Sequence, residues 1–237
     1  NYASLVGDHQ AFIVSVDFSI KPGQKYIQLP YQKLSLGSKY PTFSVNYTKG
    51  IKTILGSDVY FDKWKFTIED DKNFKLAGML KYKFGMGGFL NNKLVPLQDY
   101  QHFNGNRSIA ASDYVNSFQL AKYYEYSNTE PFFAFAHLEH HLNGLITNKI
   151  PLFKRLNWNL VAGTNTFYVN KNSNHVEIFV GIENLFKVFR VDFVAAFEDG
   201  HKGVTGIKIG GGGLLGGRFN RKSTPPSNRG RNMTISF

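Results

Sequence analysis

The stretch FFAFAHLEHHLNG, residues 132–144, gathers His137, Glu139, His140 and His141 within five positions. Imidazoles and a carboxylate are the donor set of a catalytic zinc site, in which three protein ligands surround one ion and a fourth position stays open for water. On a helix His137 and His141 stand at i and i+4 and share a face. On a strand His137, Glu139 and His141 stand at i, i+2 and i+4 and again share one. The order His-Leu-Glu-His-His matches neither H-E-x-x-H nor H-x-x-E-H. On a strand His137 and His141 lie roughly 13 Å apart between Cα atoms, and one ion held at about 2.2 Å from each ligand does not easily join both ends. The competing reading is a row of polar side chains near a strand end.

Other stretches with a chemical look weaken on inspection. Gly210–Gly213 lacks the G-x-x-x-x-G-K-[ST] order of a phosphate-cradling loop and no helix follows it. Asn46, Asn106 and Asn232 begin glycosylation sequons. There is no cysteine, so disulfide scaffolds and thiolate metal sites are excluded.

The elements that must position these residues are strands. In AFIVSVDFSI, residues 11–20, Phe12, Val14, Val16, Phe18 and Ile20 fall on one face and Ser15, Asp17 and Ser19 on the other. TFSVNYT, FKLAGMLKYKF, HVEIFVGIEN and FRVDFVAAF alternate in the same way. YFDKWKFTIE, NWNLVAGTN, VTGIKIG and NMTISF do so more weakly, Met233, Ile235 and Phe237 lining up in the last. Ten or eleven strands and no amphipathic helix are predicted, with turns at Lys21-Pro22-Gly23, Thr48-Lys49-Gly50 and Glu198-Asp199-Gly200. Two long irregular segments remain, about 91–130 and a Gly/Pro-rich one at about 210–231. The first is too long for a plain connector and is read as functional.

One apolar and one polar face per strand suits a soluble β-domain or a membrane barrel whose apolar face meets lipid and whose polar face lines the lumen. Charge placement favours the barrel. Asp17, Lys75, Lys81, Lys83, Glu177, Glu183, Arg190 and Asp192 all have the inward parity, which spares lipid a mid-bilayer charge costing about 2–4 kcal/mol for Lys or Arg. Tyr, Phe and Trp make up 16% of the chain and recur near strand ends, as in an interfacial girdle. No run of about eighteen apolar residues marks a spanning helix, and that leaves a barrel open. The formal charge of +11 would suit nucleic acid or an anionic surface. However, the basic residues are scattered apart from Arg218, Arg221, Lys222, Arg229 and Arg231, and the aromatics alternate along strands instead of forming a stacking platform. No nucleic-acid partner is expected. The chain begins at Asn1 with no leader and is read as a fragment or a processed product.

FAHLEHHLNGLITNKIPLFKRLNW and EIFVGIENLFKVFRVDFVAAF, with KYPTFSVNYTKG and VPLQDYQHFNGN upstream, resemble a family of Bacteroidota outer-membrane proteins. Its members carry a domain of unknown function joined to a carboxypeptidase-like regulatory domain. The resemblance runs from about Lys39 to Phe237 and implies a barrel distantly similar to the BamA and TamA assembly barrels. In that case these strands are the C-terminal part of about sixteen. The segment 91–130 would then match the long extracellular loop that folds into the lumen. In assembly barrels that loop carries an Arg-Gly-aromatic motif whose arginine pairs with lumenal carboxylates. Here HFNGNRSIAAS keeps Phe103, Gly105 and Arg107 without that order, which argues against insertase activity.

These readings combine into one set of expectations. The fold is an all-β, antiparallel up-and-down transmembrane barrel in which residues 1–237 form a single domain. Arg107 reaches inward to Glu183 or Asp192, His137, Glu139 and His141 face the lumen with no metal between them, and Phe237 is the C-terminal aromatic read by the assembly machinery. The protein is non-enzymatic, uses no cofactor and resides in the bacterial outer membrane. Its partners are outer-membrane lipid or lipopolysaccharide and other outer-membrane or periplasmic proteins. Its role is in outer-membrane protein assembly or translocation, or as an accessory subunit of an outer-membrane complex. The alternatives are a passive channel and, from another class, a soluble metal-dependent hydrolase built on His137, Glu139 and His141.

Overall fold

The computed structural model describes residues 10–142, 147–198, 201–211 and 233–236. Its elements in chain order are β1 (Ile13–Ile20), β2 (Lys25–Gln28), β3 (Lys33–Gly37), β4 (Thr42–Gly50), β5 (Tyr60–Asn73), β6 (Met79–Leu94), β7 (Phe133–Leu142), helix α1 (Pro151–Leu156), β8 (Asn159–Asn170), β9 (Ser173–Leu185), β10 (Phe189–Glu198), β11 (His201–Gly211) and β12 (Met233–Ser236). Ten strands form one sheet in the order β12-β1-β4-β5-β6-β7-β8-β9-β10-β11, and β2 with β3 makes a separate hairpin. Every pairing is antiparallel. From β4 to β11 each strand lies beside its successor, which is up-and-down connectivity. β11 and β12 are the two outermost strands, and no pairing joins them among the described residues.

Several boundaries differ from the sequence reading. FKLAGMLKYKF does not run as a strand from Phe74. Residues 75–77 form a single 3-10 turn with Lys75 at φ 57, and Gly78 at φ 97 takes a backbone conformation that disfavours L side chains. β6 therefore starts at Met79 and runs through Leu94, so the long segment begins after residue 94. The hairpin of β2 and β3 was not anticipated, nor was the six-residue α1. Both are too short for a periodic pattern to show. Of the Gly/Pro-rich loop expected at 210–231, residues 210–211 finish β11 and the rest lies outside the described residues, as do Phe237 and the five clustered arginines and lysine.

The two faces of the sheet are partitioned opposite to a water-soluble sandwich. On β9 and β10, Ile178, Val180 and Phe193 are exposed, Val180 at 53% and Phe193 at 56%. Glu177, Asp192, Val194 and Ala196, of the other parity, are buried. β6 and β11 repeat the pattern with exposed Met86, Ile207 and Ile209, whereas the second half of β1 is exposed on both faces. What buries the polar face is the segment 95–132, which lies across it. Phe103, Phe118 and Ala121 of that segment pack with Phe133, Phe167 and Val169 of the sheet. Tyr114 and Leu120 pack with Val161, Phe179, Val194 and Ala196. Phe103 stacks on Phe167 with ring centroids 4.1 Å apart and planes at 7°, while Phe118 meets Phe103 and Phe167 edge-on, the geometry that ring quadrupoles favour.

Candidate functional site

The segment 95–132 carries its own internal structure. Gln101 and Asn128 exchange backbone hydrogen bonds near its two ends, at 2.9 and 3.1 Å. Asn106 accepts the Ser108 amide at 3.0 Å and Asp113 accepts the Val115 amide at 3.2 Å, the short side-chain-to-backbone turns that Asn and Asp supply. The Gln119 carboxamide oxygen receives the Ser112 amide at 3.1 Å. Its ends are tied together, and Phe103, Tyr114, Phe118, Leu120 and Ala121 are buried, so it is a compact loop.

Its strongest tie to the sheet is Glu177 on β9. The carboxylate is 0% exposed and accepts three consecutive loop amides, Gln119 at 2.7 Å, Leu120 at 2.7 Å and Ala121 at 3.1 Å. The His175 Nε2 completes the set at 2.9 Å, and the His175 ring stacks on Phe167 at 5.4 Å. Period two dictates this arrangement, because His175 and Glu177 share the inward face of one strand. Successive amides pointing at one anion form a backbone nest, here filled by a carboxylate of the same chain.

A second tie runs through β7 and β10. The Tyr114 hydroxyl donates to Asp192 Oδ2 at 2.8 Å. Arg190 donates its Nε to Asp192 at 2.8 Å and its Nη1 to Glu139, and its guanidinium lies 4.3 Å from the Tyr114 ring centroid, within cation–π range. Burial, reinforced by the Asp192 charge, pushes the Tyr114 phenol far above its ordinary range, so it stays a donor. Lys81 approaches Glu139 at 3.6 Å and His141 Nε2 approaches it at 3.5 Å. Further ties come from Lys208 of β11, which donates to the carbonyls of Asn106 at 3.0 Å and Ser108 at 2.6 Å. Lys63 donates to the carbonyls of Asp99 and Tyr100, and Lys83 donates to Asn116 at 2.7 Å. At β11, Ala111 donates to the Ile209 carbonyl at 2.8 Å and Ile209 donates to the Ile109 carbonyl at 2.9 Å. The loop thereby covers part of that outer strand's edge.

The sequence-predicted residues separate into different roles. His137, Glu139 and His141 are all buried and point to the loop-covered face, but they do not converge. His137 Nδ1 meets Asn165 at 3.0 Å and its ring lies 4.8 Å from that of Phe118, whereas His141 Nδ1 meets Glu183 at 3.0 Å. Among the described residues no group of three His, Asp or Glu side chains could hold a metal ion.

The expected contact from Arg107 to Glu183 or Asp192 is overturned. Arg107 is exposed, with its Nε on the Leu120 carbonyl at 3.4 Å. Asp192 is taken by Arg190 and Tyr114, and Glu183 by His141. The polarity of the tie is reversed at this point. The loop offers carbonyl oxygens at Asn106 and Ser108, the sheet supplies the cation from Lys208, and the side chain between those carbonyls is left facing away. Glu177, Tyr114, Gln119 and Lys208 were not singled out as anchors by sequence reasoning. Inward parity was the available signal for Glu177 and for Lys208, and nothing local marked Tyr114 or Gln119.

Over residues 1–182 the chain matches the family described as family of unknown function (DUF5686), C-terminal domain. No curated protein and no solved structure matches it.

Proposed function

The chain belongs to that family, and from this premise we propose that it is the membrane-embedded wall of an outer-membrane β-barrel whose lumen is occupied by the segment 95–132. The observation that carries the reading is the reversed burial of the sheet. Its exposed face carries Phe18, Met86, Ile178, Val180, Phe193 and Ile207, and its covered face holds Glu139, His175, Glu177, Arg190, Asp192 and Lys208. A water-soluble sheet reverses that assignment, because apolar area is stabilised by leaving water, at about 25 cal/mol per Å². Strand length agrees, since β4 to β11 run from 9 to 16 residues and a spanning strand needs about 9–11.

A lumen crossed by a latched segment suits a role in outer-membrane protein assembly or translocation, or an accessory place in an outer-membrane complex, better than an open passive channel. An open channel keeps a water-filled interior, whereas here aromatic rings of the loop fill the space against Phe133, Phe167 and Phe179. No enzymatic role is proposed. Lipid, lipopolysaccharide and neighbouring envelope proteins are the partners.

The full-length protein is expected to partition into detergent and to migrate differently on SDS gels before and after boiling. A monodisperse, water-soluble protein with heat-independent mobility would sink the proposal. Planar-bilayer recordings separate the two membrane roles. Absence of stable conductance, together with a fall in other outer-membrane proteins on depletion, supports assembly, and large steady conductance supports a channel.

A further inference from the structure

We propose that the chamber between the loop and the β5–β7 part of the sheet is a binding site for a small oxyanion, with Lys65 and Lys83 as its cationic donors. Lys65, Lys83 and His137 from the sheet, and Gln101, His102, Asn104 and Asn116 from the loop, line a cavity of about 100 Å³. That is room for roughly three waters at their liquid volume, enough for phosphate or a carboxylate and too little for a nucleotide.

The charge around the chamber is lopsided. The carboxylates that hold the loop, Glu139, Glu177 and Asp192, belong to β7, β9 and β10 and are each engaged by the partners described above. On β5 and β6 the part of the inward row nearest the chamber is instead basic, with Lys63 and Lys65 on one strand and Lys83 on the next, and the carboxylates Glu69 and Asp71 lie farther along the same row of β5. Lys83 has one carboxylate within reach, Glu69 at 3.2 Å, itself largely exposed. Lys65 makes no ion pair among the described residues, and its ammonium lies 5.1 Å from the Phe135 ring centroid. A half-buried ammonium whose neighbour is an aromatic face is incompletely compensated, and an anion in the adjoining space supplies what is missing. Lysine binds phosphate as a flexible point charge, and two ammoniums facing one chamber match the roughly two negative charges of phosphate better than the single charge of a carboxylate. Phosphate is therefore the expected occupant and a carboxylate the other source of the same chemistry. The inference stands on the chamber alone and is independent of the membrane reading.

The test is titration of purified full-length protein with inorganic phosphate by calorimetry at constant ionic strength, with sodium acetate and sodium chloride as parallel arms. Phosphate is expected to bind, and Lys65→Met to weaken it about tenfold or more, the scale of one hydrogen bond to a charged group, while Lys65→Arg and the remote Lys25→Met keep it. Acetate binding as tightly as phosphate, with the same loss in Lys65→Met, assigns the site to carboxylates. Should the Met variant fail to fold, protection of Lys65 from acetic anhydride by phosphate, read by mass spectrometry on the unmodified chain, decides the matter. No binding by the unaltered protein, chloride matching both oxyanions, unchanged affinity in Lys65→Met, or no protection would each overturn the proposal.

Discussion

Glu177 and Leu120, 57 residues apart in the chain, meet at 2.7 Å, carboxylate oxygen to backbone amide. The amides on either side of Leu120 reach the same carboxylate. This one side chain therefore sets the depth at which the loop sits on the sheet. Glu177→Gln keeps the size but replaces one acceptor oxygen by a donor that faces an amide. The expected cost is about 3 kcal/mol or more, from lost charge-assisted bonds and a buried N–H left unmet. Hydrogen exchange should show faster exchange across residues 112–122 with the strands still protected; unchanged protection there would contradict the latch.

Phe103 is one of the loop's apolar anchors, stacked on Phe167 and edge-on to Phe118 and Phe133. Phe103→Ala should destabilise the protein by about 3–5 kcal/mol, the range for deleting a buried aromatic side chain. Urea unfolding in detergent measures it, and a loss under 1 kcal/mol would mean that the loop is not held by this cluster.

Arg190 stands between Glu139 and Asp192. Arg190→Met leaves two buried carboxylates without their cation and is expected to cost about 3–5 kcal/mol. The same change in a Glu139→Gln background should cost less, because the residues share one network and their effects do not add. Tyr114→Phe removes a single bond to Asp192 and should cost roughly 1 kcal/mol. A double-mutant cycle returning no coupling between Arg190 and Glu139 would refute the network.

Arg107 is exposed and holds one long bond. Arg107→Ala is accordingly expected to change stability by no more than about 0.5 kcal/mol, as for other surface positions. A loss above 2 kcal/mol would restore the inward arginine that the sequence suggested.

Val180 sits on the exposed apolar face of β9. If that face meets lipid, Val180→Lys costs about 2–4 kcal/mol near the bilayer midplane and lowers the yield of folded, membrane-extracted protein. In water the same change would be nearly silent. Comparing the folded fraction on unboiled gels distinguishes the two.

What could be read in the chain was what repeats locally. Alternation along HVEIFVGIEN and FRVDFVAAF placed Glu177 and Asp192 on one face and Ile178 and Phe193 on the other, because a pleat reverses side-chain direction at every residue. The same rule put His137, Glu139 and His141 together on one side. The hairpin of β2 and β3 and the turn at Phe74–Gly78 escaped this reading, since strands of four and five residues show too little of a period and a positive φ at Lys75 leaves no mark in the residue type.

By itself, then, the sequence determined that this is an all-β chain of antiparallel strands with one greasy and one polar face, interrupted by a long segment with its own turn chemistry. Only the tertiary structure decided what the polar face is for. It bound the loop amides 119–121 to Glu177, gave Asp192 to Arg190 and Tyr114, set Lys208 against the carbonyls of Asn106 and Ser108, and left Arg107 outside. The reason is physical. Facing is a property of each residue and its neighbours along the backbone, whereas a choice of partner is made between segments about 50–100 residues apart, once the whole sheet has brought their donors and acceptors within 3 Å.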